Sequence, residues 1–170
     1  MTGLKRNKVE LEEYNPKWAK DFEVEKANLT QILGDDAIGI HHIGSTAIPG
    51  ISAKPIIDIA VEVESFNLLD ELDDTLKEQG FIYRSIHDEP GYKLYIKGGE
   101  DYRSHHIHFY EKGSKKLKND LYFRDYLIEH PETAQKYDAL KQNLASKYPD
   151  DRKKYTKGKK EFIEKVLAKA

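Results

Sequence analysis

The segment 55–63 is almost entirely apolar and rich in β-branched residues, and it constrains the fold more than any other part of the sequence. Branched side chains favour strands, and a strand without alternating polar residues is typical of a central strand that is covered on both faces. The chain must therefore place packing layers on both sides of a sheet. At 170 residues it is long enough to build one domain with a sizeable core.

Helical and strand patterns on either side of this segment predict those layers. Asn15 and Pro16 are typical of an N-cap and a first helical residue, and the apolar spacing that follows predicts a helix as far as Gly34. A second helix is expected over 66–79, and three more after Gly113. Strands are expected around 9–11 and over 37–43, 81–87, 92–97 and 105–110, the last two joined by a hairpin turn at 98–99.

These patterns predict an α+β fold, a mixed β-sheet with packed helices and a helical C-terminal third. We expect residues 1–170 to form one domain, with the sheet in 1–111 and the helices in 112–170. The first part carries 12 basic and 21 acidic residues and the second 16 basic and 9 acidic, so the net charge of −2 conceals a polarity. The basic helices could attract an anionic ligand, or their lysines could simply solvate the helix faces.

The sequence contains no cysteine, which excludes disulfides, thiolate metal sites, iron–sulfur clusters and thiol nucleophiles. Its first residues carry charges but no apolar segment of the kind found in secretory signals. No window approaches the apolar length of a membrane span. We therefore expect a soluble cytoplasmic protein with no membrane partner.

The densest concentration of reactive residue types lies in 41–58. Gly44 and Ser45 leave a predicted strand and open a predicted helix, an arrangement that offers N–H groups and a hydroxyl to phosphate oxygens. Asp58 follows within the apolar strand, where a carboxylate is costly to bury without a partner or a metal. The alternative is a helix cap followed by an aspartate at a strand end. Lys54 could neutralise a phosphate or serve only as a solubilising charge.

A second cluster consists of Arg103 and the histidines that follow it. On a strand, His106 and His108 point to the same face about 6.6 Å apart along the backbone, so they could share a metal ion or a phosphate. Arg103 could clamp a phosphate through two parallel hydrogen bonds. Each of these side chains could equally be satisfied within the fold, and the spacing alone leaves both interpretations open.

Two long motifs resemble one known family. HHIGSTAIPGISAKPIIDI at 41–59 and HHIHFYEKGS at 105–114 look like the GrpB family, bacterial proteins placed in the nucleotidyltransferase superfamily. The resemblance covers nearly the whole chain and implies a nucleotidyltransferase-like mixed sheet. The other matching residues are Tyr14, Asn15, Pro16, Trp18, Phe123, Arg124, Asp125, Tyr126, Leu127, His130, Pro131, Glu132, Tyr137, Leu140, Lys141, Lys160, Glu161, Phe162 and Ile163.

The resemblance to that superfamily implies roles for residues of the first motif. Gly44 and Ser45 match the turn that holds nucleotide phosphates, and Asp58 matches the first acid, a magnesium ligand in active members. Ala60 stands where a second acid is expected. Glu62 faces the same side as Asp58 but lies about 13 Å away along a strand, too far for the two carboxylates to share metals that lie roughly 3.5–4 Å apart.

The second motif would complete the site differently from other members of the superfamily. The third acid corresponds to His106 or His108, and imidazole suits zinc, manganese or a phosphate contact better than magnesium. The resemblance therefore implies either a remodelled catalytic centre or a binding site that has lost transfer chemistry. In both cases a divalent metal, Mg²⁺, Mn²⁺ or Zn²⁺, is the expected cofactor.

Three functions remain open at this stage. The first is nucleotidyl transfer with Asp58 as the catalytic residue, the second is non-catalytic binding of a nucleotide or other phosphate-bearing small molecule, and the third is RNA binding. The metal would be held by Asp58, His106 and His108. The expected substrate-binding residues are Gly44, Ser45, Thr46, Lys54 and Arg103. The RNA surface would comprise Lys115, Lys116, Lys118, Tyr122 and Arg124.

Overall fold

A computed structural model of the chain describes residues 2–170 and shows the expected α+β fold. The strands are β1 (Leu4–Lys5), β2 (Ala37–Ile43), β3 (Ile57–Val63), β4 (Phe81–Tyr83), β5 (Tyr92–Lys97), β6 (Tyr102–Arg103) and β7 (His105–Glu111). The α-helices are α1 (Lys17–Leu33), α2 (Asn67–Glu78), α3 (Lys115–Glu129), α4 (Pro131–Lys147), α5 (Arg152–Gly158) and α6 (Lys160–Leu167). The main sheet is mixed and has the order β2-β3-β7-β5-β4, while β1 pairs with β6 separately.

Strand β3 is the central strand that its apolar sequence predicts. It pairs antiparallel with β2 and parallel with β7, which places Asp58 directly beside His106. On one face its side chains pack against α1 and α2, and on the other Ala60 is fully buried. The side chains on the first face are Ile57, Ile59, Val61 and Val63. Both faces of β3 are therefore covered, as its lack of alternation requires.

Helix α1 follows its predicted pattern with a shift of one residue at the start. The Oδ1 of Asn15 accepts a hydrogen bond from the N–H of Lys17 at 2.9 Å, so Asn15 caps the helix although Pro16 precedes the first helical residue. Trp18 and Leu29 lie on the buried face. Gly34 ends the helix with φ 56°, in the left-handed region that glycine adopts at low cost.

Two local predictions near the N-terminal half are wrong. The alternation around 9–11 does not form a strand, because Val9 packs against Leu144 and Tyr155 and its N–H donates to the carbonyl of Pro149. The edge pairing occurs earlier, between β1 and β6. The residues after Gly44 form only a 3₁₀ turn over Ser45–Ala47, since the proline at position 49 disfavours helical backbone in the residue before it.

Two further boundaries differ from the predicted ones. The strand expected over 81–87 ends at Tyr83 and is followed by a 3₁₀ turn over Ser85–His87. The last predicted helix is divided into α5 and α6 at Lys159. Gly158 precedes this break, and a Cβ there would lie 2.5 Å from a methyl carbon of Leu144, so the chain approaches α4 too closely for a side chain at this position.

The C-terminal helices cover part of the second face of the sheet. Leu117 of α3 packs with Ile43, Tyr92 and Tyr110, and α4 and α6 join α3 in a further apolar cluster around Tyr137. A pocket remains between this face and helices α3, α5 and α6. Within residues 2–170 no helix has both the length and the apolar character needed to cross a bilayer.

Candidate functional site

The candidate site is a pocket of about 440 Å³ at the ends of β2, β3 and β7. Gly44, Asp58 and His106 line its sheet side, and residues of α3, α5 and α6 line the other. A larger depression of about 890 Å³ runs along β4 at the opposite edge of the sheet, where Phe81 and Lys97 line it. We place the site in the smaller pocket because only that one contains converging carboxylate and imidazole groups.

Asp58, His106 and His108 converge at the floor of this pocket. The Oδ1 of Asp58 lies 2.9 Å from Nε2 of His108 and 3.4 Å from Nδ1 of His106. One ligand atom from each residue lies within 4.8 Å of the other two. The hydroxyl of Tyr92 lies 2.7 Å from Nδ1 of His108 and fixes the orientation of that ring. The arrangement follows from the register of β3 and β7, which sets all three side chains on one face.

The charge states of these groups favour metal coordination. Burial opposes ionisation of Asp58, but the hydrogen bonds and charges of His106 and His108 outweigh it and hold the pKa of Asp58 below its ordinary value. Burial lowers the pKa of His106, although Asp58 partly offsets this effect. An ionised carboxylate beside a neutral imidazole is the state in which both residues bind metal ions.

The turn at Gly44 packs directly on the carboxylate of Asp58. Gly44 has φ 75°, and a Cβ there would lie 2.7 Å from Oδ2 of Asp58. The backbone can therefore approach this closely only because position 44 has no side chain. Ser45 and Thr46 line the pocket next to this glycine. The hydroxyl of Thr46 is 2.9 Å from Nε2 of His42 and is thus already engaged.

His42 contacts the turn through Thr46 and does not line the pocket. Its ring stacks on Phe22 with a centroid separation of 4.8 Å, and its carbonyl accepts a hydrogen bond from Arg124 at 3.0 Å. Burial lowers the pKa of His42 to about 4, so the ring is neutral at physiological pH. It acts as a structural support for Thr46.

The two basic residues predicted to bind phosphate lie in different places. Lys54 lines the pocket, and its ammonium lies 5.1 Å from the ring centroid of Tyr155. Arg103 is buried outside the pocket and donates to the carbonyls of Gly99 and Glu100. The expected position of Arg103 in the phosphate site is wrong, because the guanidinium is used to hold the turn after β5.

Ala60 stands where the family resemblance predicts a second acid. Ala60 is fully buried beside His108 in the β3–β7 ladder. Glu62 accepts a hydrogen bond from the N–H of Gly113 at 3.4 Å and does not line the pocket. A pair of magnesium ions, which requires several bridging oxygen ligands, does not fit this donor set. A single ion that accepts imidazole, such as Mn²⁺ or Zn²⁺, does fit.

The structure adds functional candidates that the sequence did not reveal. Asp120 of α3 lines the pocket and accepts a hydrogen bond from the hydroxyl of Tyr110, and burial raises the pKa of Asp120. Arg152 and Lys159 line the pocket on the side of α5 and α6. Each of these residues lies in a strongly charged helical segment that looks like a solvated face, so no sequence signal distinguished it.

The residues proposed for RNA binding lie on α3. Lys115, Lys116 and Lys118 are exposed. Lys116 lies 4.0 Å from the ring centroid of Tyr92 at the wall of the pocket. Arg124 pairs with Asp125 at 2.8 Å. RNA binding through α3 therefore stays a prediction.

The fold of this chain is nucleotidyltransferase-like. A crystal structure of the Cid1 poly(U) polymerase with MgGTP bound superimposes with a TM-score of 0.53 at 15% identity, covering 79% of this chain and 44% of that one, a likeness of fold alone. A family model described as "GrpB protein" matches residues 8–169. The chain therefore belongs to the GrpB family.

Individual relatives agree with this membership. The crystal structure of conserved protein GrpB from Enterococcus faecalis superimposes with a TM-score of 0.88 at 37% identity, covering 94% of this chain and 96% of that one. The UPF0157 protein YqkA of Bacillus subtilis (strain 168) is 42% identical over 158 residues, covering 93% of this chain and 46% of YqkA. The chain thus spans about half the length of YqkA.

Proposed function

We propose that the protein binds the phosphate groups of a nucleotide beside one divalent metal ion and transfers a nucleotidyl group to an acceptor. One observation carries the proposal: Asp58, His106 and His108 converge in the same pocket as the Gly44 turn and Lys54. The nucleotidyltransferase-like fold supports a nucleotide rather than another phosphate-bearing ligand. A nucleotide ligand is also consistent with our expectation of a cytoplasmic location.

The proposed metal ligands are one oxygen of Asp58 and one nitrogen each of His106 and His108. Two imidazoles and one carboxylate suit Mn²⁺ or Zn²⁺ better than Mg²⁺. When bound, the ion would polarise a phosphate oxygen as a Lewis acid. The hydroxyl oxygen of Tyr92 would accept a hydrogen bond from Nδ1–H of His108 at 2.7 Å, which leaves the unprotonated Nε2 free to coordinate.

The remaining residues would position the phosphate. The glycine at position 44 allows main chain to lie against Asp58, so a phosphate bound at the turn would be adjacent to the metal ligands. The Ser45 hydroxyl and the Lys54 ammonium line the same space. Burial and nearby cations lower the pKa of Lys54 to about 7, and the negative charge of a bound phosphate would favour its ammonium form.

Non-catalytic binding of the same ligand is the second candidate function. The buried Ala60 favours it, because that position in active relatives of the fold is expected to carry an acid. Without that acid, Asp58 supplies the one carboxylate of the cluster with His106 and His108 among the described residues. A single-ion site would still hold a nucleotide for sensing or delivery.

Titration of Mn²⁺ and Zn²⁺ by calorimetry tests the metal site. We expect micromolar or tighter binding to the wild type and at least a tenfold loss for Asp58→Asn and His108→Gln. His105→Gln is the matched control, because His105 lies on the opposite face of β7, with Nδ1 2.8 Å from the hydroxyl of Ser104. Absence of metal binding to the wild type, or an equal loss in the control, would refute the site.

Thermal shifts and labelled-nucleotide assays separate the two functions. With Mn²⁺ present, at least one nucleoside triphosphate should raise the melting temperature of the wild type and not that of Asp58→Asn. Release of labelled pyrophosphate that requires an added acceptor supports transfer. Stabilisation without any release, across small hydroxyl compounds and RNA as acceptors, supports the binding module. If no nucleotide stabilises the metal-loaded protein, both functions are wrong.

A further inference from the structure

Strand β2 is a long, open edge of the main sheet. It pairs with β3 on one side, and within residues 2–170 no strand pairs with its other side. Natural proteins protect open edges with charged residues or proline, or by keeping the edge strand short. The opposite edge, β4, has only three residues, whereas β2 has seven and reads AIGIHHI, without lysine, arginine, aspartate, glutamate or proline. One register shift lies between Ala37 and Gly39 and leaves residues 39–43 regularly paired with β3.

The hydrogen bonds of β3 establish which backbone groups of β2 face the open side. The N–H of Ile57 donates at 3.0 Å to the carbonyl of the residue that precedes β7, so this position of β3 bonds towards β7. Backbone groups alternate in direction along a strand, so Ala60 bonds towards β2, where its partner is His41. The residues on either side of His41, Ile40 and His42, therefore turn their N–H and carbonyl groups away from β3.

The open side combines unpaired backbone groups with exposed apolar side chains. The carbonyl of His42 accepts a hydrogen bond from Arg124 of α3 at 3.0 Å, but the N–H and the carbonyl of Ile40 have no protein partner within residues 2–170. Ile38 of β2 is 45% exposed. Ile128, 43% exposed, follows Arg124 by four residues and so lies on the same side of α3. Both features favour an additional strand at this edge.

The charges around β2 suit a second copy of the same chain. Burial lowers the pKa of His41 below its ordinary value and that of His42 to about 4, so both rings are neutral at physiological pH. Arg124 and Asp125 of α3 form an ion pair at 2.8 Å. A two-fold axis normal to the sheet sets α3 beside α3 of the second copy in antiparallel order, so that these unlike charges can face each other. The edge is thus complementary to itself.

We propose that two copies of the chain pair antiparallel through β2 about a two-fold axis at Ile40, joining their five-stranded sheets into one continuous sheet. Each Ile40 then donates its N–H to the carbonyl of the other, the reciprocal pair of an antiparallel ladder. Ile38 of one copy lies opposite His42 of the other. A contact of this kind uses the same surface on both copies and closes at the dimer. It is independent of the proposed function, because none of these residues lines the candidate pocket.

Sedimentation velocity at pH 7.5 tests the dimer. We expect the wild type to dimerise with a dissociation constant in the micromolar range, and Ile38→Lys to weaken dimerisation at least tenfold, because a lysine on an edge strand blocks pairing. Val24→Lys is the matched control. Val24 is 70% exposed and lies about 200° around α1 from Phe22, which stacks on His42, so the variant adds the same charge away from β2 and should stay within twofold of the wild type.

Amide hydrogen exchange on the wild type gives a second measurement that needs no variant. The N–H of Ile40 should be protected at high protein concentration and lose protection on dilution, whereas the N–H of His41, which bonds to β3, should keep its protection. A wild type that stays monomeric up to about 1 mM would overturn the proposal, as would equal weakening by Ile38→Lys and Val24→Lys. A dimer in which the exchange of Ile40 does not depend on concentration would place the interface elsewhere. Each result holds whether or not the protein binds metal or nucleotide.

Discussion

Replacing Gly44 with alanine should damage the metal site and not only the local turn. With φ 75° and ψ −176° this residue occupies a region of backbone space that is nearly restricted to glycine, so any side chain costs about 1–3 kcal/mol. The added methyl would also lie 2.7 Å from Oδ2 and 3.2 Å from Cγ of Asp58, where ordinary contacts begin at 3.4 Å. The carboxylate must therefore shift by several tenths of an ångström, which disturbs the 2.9 Å contact between its Oδ1 and His108.

The loss of that contact sets the expected size of the effect. A hydrogen bond to a charged group contributes about 1.5–3 kcal/mol. Gly91→Ala is the control, since Gly91 has φ 74° and nothing within 4 Å of the position of a Cβ. At about 2–4 °C per kcal/mol for a domain of this size, Gly44→Ala should melt about 3–12 °C below Gly91→Ala. Its affinity for Mn²⁺ should fall at least about tenfold, a difference of about 1.4 kcal/mol.

Differential scanning calorimetry and Mn²⁺ titration check both halves of this prediction. If the two glycine variants melt at the same temperature and both bind manganese as the wild type does, the turn at Gly44 does not hold Asp58 in place. Lower stability of Gly44→Ala with unchanged metal affinity would show that Asp58 tolerates the shift, and that the turn does not position the carboxylate for a metal.

Three other perturbations follow from the structure. Burial in the folded state lowers the pKa of His42 from 6.5 to about 4, so the unfolded state binds a proton there first as the pH falls. The stability of the fold is therefore highest above pH 6.5 and decreases as the pH falls towards 4. His42→Asn should flatten this pH dependence in urea titrations across that range. Arg103→Ala should lower the urea midpoint, because two carbonyls of the turn after β5 lose their donor, while nucleotide affinity measured on the folded variant stays unchanged. Glu25→Ala should lower the free energy of unfolding by about 3 kcal/mol, because it leaves Lys97 without its partner at 2.9 Å, whereas replacing the exposed Glu23 with alanine should leave it almost unchanged. Equal urea midpoints for the two variants would contradict a stabilising pair.

Local sequence patterns predicted most of the elements because those elements rest on local causes. Strand β3 was evident from its β-branched run, and α1 from its apolar spacing between Asn15 and Gly34. The strand over 37–43 was predicted with its observed bounds. Such signals express which backbone conformation a segment favours and which face it must bury. The family resemblance then supplied the nucleotidyltransferase-like arrangement of the sheet.

Errors occurred where a distant segment decided the local structure. Val9 lies in an alternating pattern that predicts a strand. In the structure its N–H donates to the carbonyl of Pro149, and its side chain packs against Tyr155. Arg103 precedes the histidines in sequence, but the turn after β5 draws its guanidinium away from them. In both cases the local sequence pattern does not include the contact that determines the structure.

The sequence by itself determined the α+β class, the central strand and the residue types that can bind a metal here. A parallel register between β3 and β7 was needed to place Asp58 beside His106, and that register is a property of the assembled sheet. Packing of the N-terminal segment against α5 fixed Arg152 at the same pocket through carbonyls of Lys5 and Lys8. Propensity and periodicity act within a few residues, whereas the charge of a pocket is the sum of side chains that only folding brings together.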